Sequence, residues 1–243
     1  MRIVPPVCSL FAFVLAATLS AAQLPEMRPA LLGSGPNSLI NLIDTQKLAK
    51  SGDAIVRFSC GVNYRGQGYD MVTYRGSANS KALSEELVEK VERATFVAPV
   101  HQHQNRWCIL SGTAVLAVVN GKPHLRIFLN QEEEHLKRGD DFISPQPIFW
   151  EHDRFNGFDY PKHGDTSGDV GMALTIDANG NLKEAKITSE TPAGLGFGPA
   201  VKDKINTVTF LPAYFHGKPV SSTTTTHFLF KGWGHGPQWR TDT

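Results

Sequence analysis

The alternation of apolar and polar positions is clearest in the last third of the chain. Val170, Met172, Leu174 and Ile176 fall on one side, and Gly171, Ala173, Thr175 and Asp177 on the other. That is the period of a strand with one buried face. Asp177-Ala-Asn-Gly180 turns the chain, because Asn179-Gly180 tolerates the positive φ of a tight hairpin, and 182–188 supplies the return strand. Phe197, Val201, Ile205 and Val208 recur at helical spacing and predict a helix over 198–208. Pro199 suits its first turn, where a missing N–H costs nothing, while Gly194, Gly196 and Gly198 weaken its start. Gly217-Lys-Pro219-Val220 then leads into a strand on which Thr224, Thr226, Phe228 and Phe230 share a face. The predicted order is strand, strand, helix, strand.

A weaker version of this pattern precedes it. Val56, Phe58, Cys60 and Val62 alternate, 71–75 forms a second strand after Gly66-Gln-Gly68, and Leu83, Leu87 and Val91 mark a helix capped near Asn79 or Ser80. Apolar residues at 114–119 and 125–129 flank an Asn120-Gly121 hairpin turn. Matching Gly52-Asp53 to Gly168-Asp169, Phe96 to Phe210 and Gly121-Lys-Pro123 to Gly217-Lys-Pro219 predicts a diverged tandem copy at a period of about 115 residues. This alignment leaves a surplus between Phe96 and Gly121. Two unrelated small units would show the same coarse order. Ahead of them, 23–37 reads as an extended leader and 38–49 as a short helix.

The fold class predicted is therefore α+β: two small domains, each a short antiparallel sheet packed on one or two helices. They span 38–130 and 158–231, joined by a connector at 131–157 and followed by a loosely ordered tail at 232–243. The charged run Gln131-Glu-Glu-Glu-His-Leu-Lys-Arg138 reads as a solvated face.

The order of turns and strands over 158–230 resembles the C-terminal domain of the TonB family. Tyr160-Pro161, Gly168-Asp-Val170, Ile176-Asp177 with Gly180, Phe210-Leu-Pro212-Ala213 and Gly217-Lys-Pro219-Val220 carry the resemblance. Each element alone is a common turn or strand, and the helix is poorer in Ala and Leu than the family's. The resemblance implies capture of a short segment of an outer-membrane receptor beside the sheet. The long Pro-rich spacer of true TonB proteins is missing.

Composition narrows the compartment and the partners. Arg2, then an apolar run at 9–19 and Ser20-Ala-Ala22, describe a cleavable secretory signal over residues 1–22. Pro5-Pro6 leaves the run short of the roughly twenty residues that span a bilayer. A periplasmic location follows, with an inner-membrane anchor as the alternative if the segment is uncleaved. Without Arg2, basic and acidic side chains number 23 each, so nucleic acid is not expected as a partner. Cys60 and Cys108 are then an even pair in an oxidising compartment, which predicts a disulfide, with two separate buried thiols as the alternative.

Candidate chemistry is sparse. His101 and His103 would face the same way on a strand and share a metal, with a third ligand that no spacing identifies. No serine sits in a nucleophile-elbow frame, and Gly66-Gln-Gly68 lacks the third glycine of a phosphate cradle. No cofactor and no catalysis is expected. Better supported is an edge strand at Thr223, Thr224, Thr225 and Thr226, polar and β-prone, able to pair with an extended peptide of an envelope partner. The function expected is periplasmic protein–protein binding. A membrane-anchored energy transducer and an envelope metalloenzyme using His101 and His103 are the alternatives.

Overall fold

The computed structural model describes residues 23–139, 141–149, 166–231 and 235–240. These form a mixed α and β structure of small antiparallel sheets with few helices. In chain order the first set of elements is β1 (Met27–Arg28), β2 (Leu31–Leu32), α1 (Leu39–Leu42), α2 (Thr45–Leu48), β3 (Ala54–Val62), β4 (Gly68–Gly76) and α3 (Lys81–Lys90). It continues with β5 (Phe96–Val97), β6 (Val100–His101), β7 (Gln104–Asn105), β8 (Trp107–Val119) and β9 (Lys122–Phe128). A single helical turn, α4 (Glu133–Leu136), follows. The second set is β10 (Phe142–Ile143), β11 (Gln146–Phe149), β12 (Gly168–Ile176), β13 (Leu182–Thr191), α5 (Phe197–Ile205), β14 (Thr209–Leu211), β15 (Ala213–Phe215), β16 (Lys218–Val220), β17 (Ser222–Lys231) and β18 (His235–Arg240).

The two sets repeat one topology. The sheet β1–β6–β7 returns as β10–β15–β16, the pair β2–β5 as β11–β14, and the ladder β4–β3–β8–β9 as β13–β12–β17–β18. Register repeats too. Val62 faces Cys108 as Ile176 faces Ser222, each partner recurring 114 positions later (62 to 176, 108 to 222). Even local detail is kept. Asn63 Oδ1 accepts from the N–H of Arg65 (2.9 Å) and Gln67 (3.0 Å), and Asp177 Oδ1 accepts from Asn179 and Asn181 at 2.9 Å each. Both turns end on a glycine of positive φ, Gly66 and Gly180. A Cβ on either would come within 2.3 or 2.2 Å of the carbonyl oxygen of Phe96 or Phe210. Only glycine lets the turn lie this close to the strand that follows the helix.

Each unit has its own apolar core. In the second, Val170, Met172, Leu174 and Ile176 of β12 meet Phe197, Val201 and Ile205 of α5, with Phe210, Phe228 and Phe230 completing the cluster. In the first, Val56, Phe58, Cys60 and Val62 play the β12 part, and Leu83, Leu87 and Val91 that of the helix. The units are joined by more than a linker. β11 pairs with β14 on one side and with the start of β8 on the other, where Ile148 faces Cys108 and Phe149 faces Trp107. Ile148 and Leu211 of the second unit thereby enter the first unit's core.

Several expectations from the sequence change. The tandem copy is present, but its alignment is not the one drawn on Gly121-Lys-Pro123. The turn His216–Gly217 between β15 and β16 corresponds to Gln102–His103 between β6 and β7, all four residues having positive φ. Gly121 belongs to the β8–β9 hairpin, whose Asn120–Gly121 turn forms as expected. At the other end Ala54, not Gly52, corresponds to Gly168. With this register the surplus after Phe96 disappears, because β5 to β8 match β14 to β17.

The leader holds β1 and β2, and the connector holds α4, β10 and β11, so both carry structure belonging to a unit. The helix expected over 38–49 is split after Leu42, and Asp44 caps the second piece by accepting from the Lys47 N–H at 3.0 Å. Part of the expected loose tail is β18, paired with β17. Residues 1–22 and Tyr160-Pro161 lie outside the described residues, and among the described residues no helix is long and apolar enough to cross a membrane.

Candidate partner-binding edge

β17 pairs with β12 from Ser222 to Phe230, whereas β18 pairs on its other side only at residues 227–231. Among the described residues no strand pairs with 222–226 on that side, so they form an outer edge there, and the four threonines lie on it. Thr226 points into the core and is fully buried, Thr223 is exposed, and Thr224 and Thr225 are half-buried. Thr223 and Thr175 bond through their hydroxyls across the ladder at 2.9 Å.

The Thr225 N–H faces away from β12 and donates to Glu132 Oε1 at 2.6 Å. Peptide groups alternate sides along a strand, so the Thr223 peptide faces outward as well. Glu132 immediately precedes α4. Burial raises its pKa, opposed by the Thr225 N–H, the Thr224 hydroxyl and the positive charge of Arg57. His135, one turn on, is buried and stacked on Phe142 with ring centroids 3.9 Å apart. Its Nε2 lies 3.5 Å from Ser222 Oγ and its Nδ1 3.5 Å from Glu132 Oε2. The latter contact is within ion-pair range but not aligned as a hydrogen bond, leaving Nδ1 without a donor or acceptor partner. Burial, then the Arg138 charge, pushes the His135 pKa down, favouring the neutral ring.

The run containing these residues is not simply a solvated face. Glu133, Glu134 and Lys137 are exposed, but Gln131 and His135 are buried. Gln131 Nε2 donates to the carbonyls of Phe58 (2.7 Å) and Gly112 (3.0 Å), and Asn130 Nδ2 to that of Phe142 (3.0 Å). The four-residue spacing of Gln131 and His135 is the trace of this buried side in the sequence. The density of charge around them hides it.

The histidine pair does not form as expected. His101 ends β6 and His103 stands at positive φ in the following turn, so the two do not share a strand face. His103 Nδ1 is 2.8 Å from the Leu24 carbonyl oxygen, and burial, then the nearby Arg106 charge, lowers the pKa of His101. Among the described residues no three His, Cys, Asp or Glu side chains are placed to hold a metal.

The expected disulfide is also not formed: Cys60 and Cys108 are free, buried thiols. Cys60 faces Leu110 and Cys108 faces Val62, making the cysteines diagonal neighbours on adjacent strands. Diagonal Cα atoms lie about 7–8 Å apart, beyond the span a disulfide usually bridges. Burial pushes the Cys60 pKa up to about 12 and that of Cys108 well above its ordinary value, which favours the thiol form of both.

A second polar cluster lies on the far face of the same sheet. His227 Nδ1 is 3.0 and 3.3 Å from the two carboxylate oxygens of Asp169. Beside it, a bulge in β13 turns the hydroxyls of Thr188 and Ser189 toward the space above Gly171. The sequence carried no signal for this grouping, because its members come from three strands. Compared with protein-family models, curated proteins and solved structures, the chain finds no match.

Proposed function

We propose that the protein is a secreted, periplasmic binding protein whose second unit, of TonB C-terminal type, adds an extended segment of an envelope partner to the edge of β17. The observation that carries this reading is the chain's own use of the equivalent edge. In the first unit, β8 accepts β11, an extended segment from the other unit, at Trp107 and Cys108. The corresponding positions are Ser221, just before β17, and Ser222, its first residue, beside the outward-facing peptides of Thr223 and Thr225. An added strand gains main-chain hydrogen bonds of about 1 kcal/mol net each, and side chains supply selectivity. The order β12, β13, α5, β17, with the helix on one face of the sheet, is consistent with the family resemblance. Placing a photo-crosslinking amino acid at Thr223 in cells tests the reading. The expected product is an adduct with an envelope protein, mapping to one extended stretch of it. Adducts confined to this chain would remove the reading.

A further inference from the structure

We infer that Glu132 is a built-in competitor for the β17 edge, holding the Thr225 N–H in the place an incoming carbonyl must take. This rests on the edge reading above and adds the regulation of that site. Three observations support it. First, the Glu132–Thr225 contact has the length of a short, charge-assisted hydrogen bond, with the acceptor on the side where the next strand would lie. Second, His135 beside Ser222 extends the cover, so residues 132–135 run along the edge from Thr225 to Ser222. Third, the cover is a poor occupant. It buries a carboxylate, and burial is the largest influence on its raised pKa. A largely desolvated carboxylate is a costlier acceptor than a neutral peptide carbonyl, which makes the same bond without burying a charge. An extended segment therefore exchanges a charged acceptor for a neutral one.

The neighbouring residues confine the movement. Asn130 and Gln131 are anchored in the junction by their side-chain amides, and Gly139 follows α4 at positive φ. Displacement of Glu132 thus swings α4 without undoing the pairing of β11 with β8.

The test uses the full chain and a synthetic peptide copying residues 144–150, which contain β11, the strand that pairs with β8 at Trp107 and Cys108. Glu132→Ala is expected to bind the peptide at least about tenfold more tightly than the wild type. Glu132→Gln, which keeps an acceptor oxygen without the charge, should bind the peptide no more tightly than the wild type. Without peptide, the Thr225 amide of Glu132→Ala should exchange at least about tenfold faster, and peptide should restore its protection, while Phe228 stays protected in both. Equal binding by wild type and Glu132→Ala overturns the competitor and leaves the edge reading intact. Binding by neither overturns both. The wild type supplies a measurement free of any substitution: saturating peptide must shift the Glu132 carboxyl carbon resonance. An unmoved resonance with peptide bound overturns the competitor.

Discussion

The two units share a register and differ in what they do with it. The core positions of their main helices and strands correspond, as do the Asn63 and Asp177 turns, yet their sheet edges and open faces do not. Among the described residues the edge of β8 is filled by β9 at 113–119 and by β11 at 107–108, whereas the edge of β17 is filled by β18 at 227–231 and has no strand at 221–222; the stretch between, 109–112 in one unit and 223–226 in the other, meets side chains, Gln131 at Gly112 and Glu132 at Thr225. On the face away from the helix, the first unit carries Ile55, Arg57, Tyr74, Arg75 and Thr113. The second has Asp169, Gly171, Thr188, Ser189 and His227 at the corresponding places, around a bulge that both units keep. The comparison separates what the fold requires from what a binding role requires. The first unit receives β11 from the second, and among the described residues the second receives no such strand at the corresponding place.

The shared features should fail together. Phe96→Ala and Phe210→Ala empty the same site, and each is expected to cost about 3–5 kcal/mol in denaturant unfolding. A large cost in one unit alone would break the equivalence. Gly66→Ala and Gly180→Ala come next. Each places a methyl against a carbonyl oxygen at positive φ, and a loss of about 2 kcal/mol or more is expected for both.

The same turn also offers a contrast that pH can expose. Asp177 is held well below the usual carboxylate range, first by the side-chain amide and N–H of Asn181, then by Lys183 and Asn179. Its folded pKa is depressed, so its contribution is present above the unfolded value and is lost as pH falls from there toward the folded one. Below about pH 4 the amides of Asn179 and Asn181 should lose protection progressively. Those of Arg65 and Gln67 should not, because Asn63 does not titrate. Parallel behaviour of both turns would contradict the assignment. The smallest effect expected is that of Asp169→Asn. It weakens a His227 contact in which both partners are partly solvated, at 41% and 22% side-chain exposure for Asp169 and His227, and should cost less than about 1 kcal/mol in thermal unfolding.

What could be read in the sequence was periodic. Val170 to Ile176 and Phe197 to Ile205 were legible because strand and helix periods set their faces, and Asn120–Gly121 because a hairpin turn needs positive φ there. The true unit alignment was hidden because its turn is Gln102–His103 in one copy and His216–Gly217 in the other. Positive φ in the first copy is adopted by side chains that rarely accept it, so the glycine signal at Gly121 misled. Strands of two residues, such as β1, β2 and β10, are too short to show a period. The edge threonines were legible as β-prone and polar. Their cover was not, because Glu132 and His135 reach β17 from about ninety positions away inside a charged run. No local pattern encodes such a contact.

The most direct test of the edge uses Thr225→Pro. The Thr225 N–H points away from β12, so proline removes the outward donor while leaving the β12 ladder its bonds, as edge strands tolerate. The variant is expected to fold, with the Phe228 amide still protected, and to lose the partner adduct formed from the crosslinker at Thr223. A folded Thr225→Pro protein that forms the adduct at the wild-type level would contradict binding at this edge.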